Sequence, residues 1–134
     1  MTTMTEVEPK QARLTSRQLT RLRARLVGDL ENTRDLISQL MADLESMRES
    51  RQDVATDDEH DPEGPTLAFE SSQVAAVLSN ARAHLQGIED ALGHVDGEEF
   101  GICVNCGQRI PFTRLEARPY AKHCVACAEL AARR

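Results

Sequence analysis

The chain has 134 residues, a formal net charge of −6, and only 3% aromatic residues, with no Trp and one Tyr. That length sets a single small domain with an extension; so few aromatics exclude a large globular core, while 40% hydrophobics, mostly Leu, Ala and Val, suit helix seams. No apolar run approaches the ~20 residues that span a bilayer, and the polar start MTTMTEVEPKQ resembles neither a signal nor a transit peptide, which points to a cytoplasmic protein with no membrane partner.

Residues 1–13 carry no periodicity and read as a disordered N-terminal tail. Thr15 and Gln18 then have the spacing of a capping box, in which each side chain serves the other's backbone N–H. Leu19, Leu22, Leu26, Leu30, Thr33, Ile37, Leu40, Leu44 and Met47 follow at steps of three and four, a near-heptad seam interrupted only by Gly28 among helix-breaking types. A helix from Ser16 to Val54 would be roughly 58 Å long, more than a small globule needs. Residues 10–53 hold nine Lys/Arg against seven Asp/Glu. Arg21, Arg23 and Arg25 could dock on a partner or simply form a solvated face.

The segment DDEHDPEG, residues 57–64, packs five carboxylates into eight positions, and no Lys or Arg occurs between Asp57 and Glu70. By charge alone this is either a solvated loop or a charged tip presented to a partner with a basic or metal-containing pocket. His60 within it could titrate near neutrality or be merely exposed. Gly64-Pro65 marks a turn, Thr66 can cap, and Leu67, Phe69, Val74, Val77, Leu78, Ala81, Leu85, Ile88, Leu92 and Val95 form a second seam. Two seams joined through residues 55–65 predict a mainly α fold: a long antiparallel helical hairpin, a coiled coil over residues 14–96 with an acidic tip, in preference to two helices of an ordinary bundle. His84 and His94 lie in the second helix without a ligand partner by spacing.

Residues 97–134 change character. Cys103, Cys106, Cys124 and Cys127 form a C-x2-C-x17-C-x2-C array that uses every cysteine in the chain. Two close pairs give the tetrahedral thiolate set zinc prefers, and four sulfurs leave no open coordination position, so the array predicts one structural Zn2+ per chain. Redox C-x-x-C motifs or buried free thiols are the competing readings. Gly107 follows the first pair where a knuckle turn needs positive φ. His123, next to Cys124, could substitute as a ligand, but beside a complete sulfur set it reads as a bystander. The expected fold is a small four-cysteine globule ending in a short C-terminal helix. No phosphate-binding glycine loop, nucleophile elbow or triad is present, and an exposed carboxylate pair lacks the burial that shifts a pKa, so the chain is not expected to be an enzyme.

The pattern Gly97-x-x-Phe100-Gly101-x-Cys103-x-x-Cys106-Gly107-x-x-Ile110, then Arg114-Leu115-x-Ala117-x-Pro119, then Cys124-x-x-Cys127 closely resembles the DksA/TraR zinc-finger family. The resemblance covers about thirty residues densely, and the preceding hairpin agrees with that family's architecture in length and pattern. It implies a transcription regulator that binds bacterial RNA polymerase directly. The coiled-coil tip would enter the secondary channel toward the catalytic centre and modulate initiation, with ppGpp of the stringent response a candidate co-regulator. The effector tip would be Asp57, Asp58, Asp61 and Glu63. Asp58 and Asp61 match the family's Asp-x-x-Asp-x-Ala motif, whereas Glu63 stands in place of its alanine. Arg114 and Arg118 match family positions and could touch the polymerase rim or an alarmone, or could hold the zinc knuckle through backbone carbonyls. The protein would be a monomer without sequence-specific DNA binding. The competing class is a zinc-ribbon nucleic-acid-binding protein with a coiled-coil dimerisation arm, and an acidic exposed end argues against it.

Overall fold

The computed structural model describes residues 13–57 and 64–133. Four helices follow in order: α1 (Ser16–Asp57), α2 (Gly64–His94), α3 (Phe112–Ala117) and α4 (Val125–Ala132). They divide between two compact units, one built from residues up to Leu30 together with Gly87–Arg134, the other from Glu31–Gln86.

In the first unit α1 starts on the predicted capping box. Thr15 N–H donates to Gln18 Oε1 at 2.9 Å and Gln18 N–H to Thr15 Oγ1 at 3.0 Å, satisfying donors that the first turn leaves without intrahelical partners. The early turns of α1 pack on the late turns of α2, so the helices run antiparallel there: Leu26, Ile88 and Val95 are buried together, with Leu19, Leu30, Ala91, Leu92, Phe100 and Tyr120 around them. Leu22 faces a second cluster with Cys103, Ile110, Leu115 and Cys127. The start of α1 therefore shares a core with the cysteine array.

In the unit of residues 31–86 the seam is thinner. Thr33, Leu78 and Ala81 are its buried residues, and Arg82 Nη2 lies 3.6 Å from Met41 Sδ, again an antiparallel pairing. Leu40 and Val74 are half-buried. Two seam assignments are corrected: Phe69 is 63% exposed and Val77 48% exposed. The buried positions of α2 are Leu78, Ala81 and Ile88, and half-buried Leu67, Ser71, Val74 and Leu85 extend the same stripe at alternating steps of four and three. At 3.6 residues per turn, Phe69 and Val77 fall off that stripe.

Gly64 and Pro65, expected as a turn, lie in the first turn of α2, where proline's missing N–H leaves no helix bond unmade. Asp58, His60, Asp61 and Glu63 lie outside the described residues, as do residues 1–12. Among the described residues no helix is long and apolar enough to cross a membrane.

Candidate metal centre

The chain leaving α2 is turned by local backbone bonds, from Gly97 N–H to His94 O at 2.8 Å and from Ile102 N–H to Glu99 O at 3.1 Å. Gly101 follows with φ of 85°, a region side chains rarely occupy, and it is close-packed as well: a Cβ there would meet Leu14 Cδ1 at 3.3 Å and Leu115 Cδ1 at 3.4 Å. Ile102 and Arg109 form an isolated antiparallel bridge, closed by Cys103 N–H to Gln108 O at 2.8 Å and Ile110 N–H to Gly101 O at 2.7 Å. Between them the chain reverses through Cys103–Gly107, and Gly107 has the predicted positive φ, 76°. The second pair is carried differently, with Cys124 at the N-cap of α4 and Cys127 in its first turn.

These two supports bring Cys103, Cys106, Cys124 and Cys127 together with all four Sγ atoms within 4.8 Å of one another. Cys106 Sγ and Cys124 Sγ are 3.9 Å apart, near the ~3.8 Å edge of a tetrahedron with Zn–S bonds of about 2.3 Å. Among the described residues this is the one such group, and His123 is outside it. The donor set fits zinc: four thiolates close the coordination shell, and the ion would tie the reversal after Cys103 to the start of α4.

The electrostatics run the same way. Burial pushes the Cys103 thiol up, but backbone N–H groups of Cys106, Cys124 and Asn105 more than offset it and bring its pKa down to about 6. Asn105 Nδ2 donates to Cys127 Sγ at 3.3 Å, which favours that thiolate; its sulfur neighbours and burial prevail and raise Cys127 to about 11. Without a cation the cluster favours the thiolate at Cys103 and disfavours the one at Cys127. A divalent ion removes that conflict, because a coordinating thiol is deprotonated outright.

Four of the arginines around the centre, Arg21, Arg23, Arg25 and Arg114, are bound within the protein. Arg114 Nε donates to His123 O at 2.8 Å, so this side chain holds the backbone beside Cys124. Arg118 is exposed on the residue following α3. Arg21 pairs with Glu116 at 2.8 Å, Arg25 Nη1 donates to Glu116 O at 3.1 Å, and Arg23 pairs with Asp96. The basic face of α1 thus clasps α3 and the turn after α2. Val104 N–H donates to Lys122 O at 2.9 Å, and Lys122 pairs with Asp90 at 3.5 Å. Sequence reasoning missed Asn105 and Leu14. Asn105's place between the first two cysteines was the only signal for its N–H···S bond; Leu14, isolated ahead of the helix, carried none.

Residues 98–131 match the prokaryotic dksA/traR C4-type zinc finger. This segment belongs to that zinc-finger family. The dksA/traR assignment is supported by relatives. The RNA polymerase-binding transcription factor DksA of Escherichia coli K12 is 46% identical over 50 residues, covering 37% of this chain and 33% of that protein. The protein YteA of Bacillus subtilis strain 168 is 38% identical over 64 residues, 48% of this chain and 27% of the relative. The chain therefore spans about a third of the length of the curated relatives it matches. The structure of transcription factor DksA2 from Pseudomonas aeruginosa aligns with a TM-score of 0.73 at 18% identity, over 94% of this chain and 92% of that one. That likeness extends the shared fold beyond the finger to the helical hairpin.

Proposed function

We propose that this chain is a non-catalytic regulator of transcription that binds bacterial RNA polymerase, as the matched DksA proteins are named to do. One observation carries the reading: a dksA/traR finger at residues 98–131 joined to a hairpin of the DksA2 fold. In this reading Zn2+ is structural. It is held by Cys103, Cys106, Cys124 and Cys127 and supplies only cross-linking, fixing α3, α4 and the start of α1 as one docking body. The acidic tip, Asp57, Asp58, Asp61 and Glu63, acts through the polymerase secondary channel, where oxygen ligands and negative charge address basic loops and Mg2+. Arg118 is the exposed member of the two matched arginines and the better partner contact; Arg114 is committed to His123 O. ppGpp is the co-regulator this reading implies, and the free protein is a cytoplasmic monomer.

The test separates binding from effect. Core polymerase should retain the zinc-loaded protein in a pull-down, and Asp58→Asn with Asp61→Asn should bind nearly as well yet lose most of its effect on initiation in vitro. A double variant that regulates as well as the parent would reduce the acid cluster to a solvated loop. Retention of free duplex DNA at moderate salt, without retention by polymerase, would favour the nucleic-acid-binding alternative instead.

A further inference from the structure

Among the finger unit's arginines that do not clasp it, two share a cleft. Arg21, Arg23, Arg25 and Arg114 each hold a partner within the protein, whereas Arg13 and Arg109 have no hydrogen-bonded or ion-paired partner for their side chains among the described residues. Far apart in sequence, they line the same cleft of about 270 Å³, whose walls include Leu14, Ile110, Pro111 and Phe112. They also line an adjoining cleft of about 170 Å³ that carries Asp96 and Glu98. Asp96 is already engaged by Arg23, and Glu98 makes no ion pair with either arginine. Arg109 is half-buried, and partly desolvating a guanidinium without a counter-charge is unfavourable.

We infer that the larger cleft is a binding site for the terminal phosphate of a phosphate monoester, gripped between Arg13 and Arg109. The charge count selects this chemistry. The cleft has two guanidinium groups and no carboxylate in its lining. A carboxylate or a phosphodiester brings one negative charge, whereas a terminal phosphate brings about −1.5 to −2 at neutral pH and offers oxygens to both guanidinium forks. The apolar wall of Pro111 and Phe112 suits a ring or hydrocarbon attached to the phosphate, and 270 Å³ accommodates little more than one such group. At the start of α1 two of the first-turn donors are already engaged. Gln18 N–H is committed to Thr15 Oγ1 and Leu19 N–H to Thr15 O, so the arginines carry the site. Arg13 precedes Leu14, which is packed against Gly101 and Leu115; a bound phosphate would therefore bridge the start of α1 to the knuckle.

Calorimetric titration of the zinc-loaded full chain with phenyl phosphate tests the proposal, with inorganic phosphate and benzoate as comparisons. Phenyl phosphate should bind saturably with a stoichiometry near one and more tightly than either comparison. Arg13→Gln and Arg109→Gln should each weaken it by about ten-fold or more, with unchanged zinc content and helical circular dichroism showing that both variants remain folded. Arg17→Gln, an exposed arginine outside the cleft, should leave binding within about two-fold, and Glu98→Gln should tighten it by removing a competing anion. Unsaturable binding, benzoate binding as tightly as phenyl phosphate, or an Arg17→Gln loss equal to that of Arg109→Gln would overturn it. A 5′-phosphorylated dinucleotide compared with its 5′-hydroxyl form distinguishes the sources: phosphate-dependent binding supports the site and assigns it to a nucleotide end, while binding of phenyl phosphate alone supports it as a site for a small ester. None of these outcomes depends on polymerase binding.

Discussion

Leu26 and Leu40 occupy equivalent-looking places in the α1 seam, yet their surroundings differ. Leu26 is fully buried against Ile88 and Val95, while Leu40 is half-buried. Leu26→Ala should therefore cost about 2–5 kcal/mol of unfolding free energy and Leu40→Ala distinctly less, as denaturant titration would report, because the cost follows the buried apolar surface removed and the cavity left behind. The cysteines divide in a similar way. Cys103 sits in the apolar cluster with Leu22 and Leu115 while Cys106 is exposed, but zinc needs all four equally. Cys106→Ser should leave three thiolates and an open shell, and metal analysis should find zinc well below one per chain. The pH dependence follows from the Cys103 shift, from an ordinary 9.0 down to about 6. A folded-state pKa depressed below the unfolded value adds stability that is complete above about 9 and is lost as pH falls through 6. The small population of metal-free protein that keeps the finger folded should thus shrink across that window on acidification. Zinc-loaded protein should release its ion on further acidification, as protons compete for the thiolates.

At the scale of elements, α1 and α2 begin by different devices. The capping box of Thr15 and Gln18 starts α1, and Thr15→Ala should cost about 1 kcal/mol, measurable as a fall in Tm. Gly64 and Pro65 open α2, where a fixed φ suits the first turn. The ion pairs that join α1 to the finger, Arg21 with Glu116 and Arg23 with Asp96, are largely exposed, with arginine side chains 70% and 43% accessible. Such pairs are worth little in isolation. They fix the register of the contact, while Leu14 and Leu22 in the finger's core supply the burial that holds it.

For the whole molecule, the shared core decides what metal removal does. Leu22 of α1 lies in one cluster with Cys103 and Cys127, so chelation should disorder residues 97–130 and also loosen the first turns of α1. The unit of residues 31–86 has its own seam and should keep its helices. Hydrogen exchange after chelation would show protection lost at Leu19–Leu26 and retained at Leu78–Ala81; protection retained at both would mean that α1 is independent of the finger.

Helices α1, α2 and α4, the antiparallel pairing of α1 and α2 within each unit, the capping box, the positive φ of Gly107 and the four-cysteine centre were legible in the sequence, whereas α3 was not. Each rests on local spacing: a three-and-four repeat, a three-residue cap, two C-x2-C pairs. What spacing leaves open is which neighbour each side chain meets. Phe69 and Val77 looked like seam residues because they are apolar, but only the rotation of α2 against α1 decides which stripe is covered. Arg21, Arg23 and Arg25 could have faced solvent or a partner; the packing of α3 and the turn after α2 assigned them to Glu116 and Asp96. Arg13 and Arg109 share a cleft only because the Ile102–Arg109 bridge and the clamp on Leu14 carry distant parts of the chain to one place. Periodicity and ligand spacing are properties of neighbouring residues and survive in the sequence; side-chain partners are chosen by long-range packing, which exists only once the chain has folded.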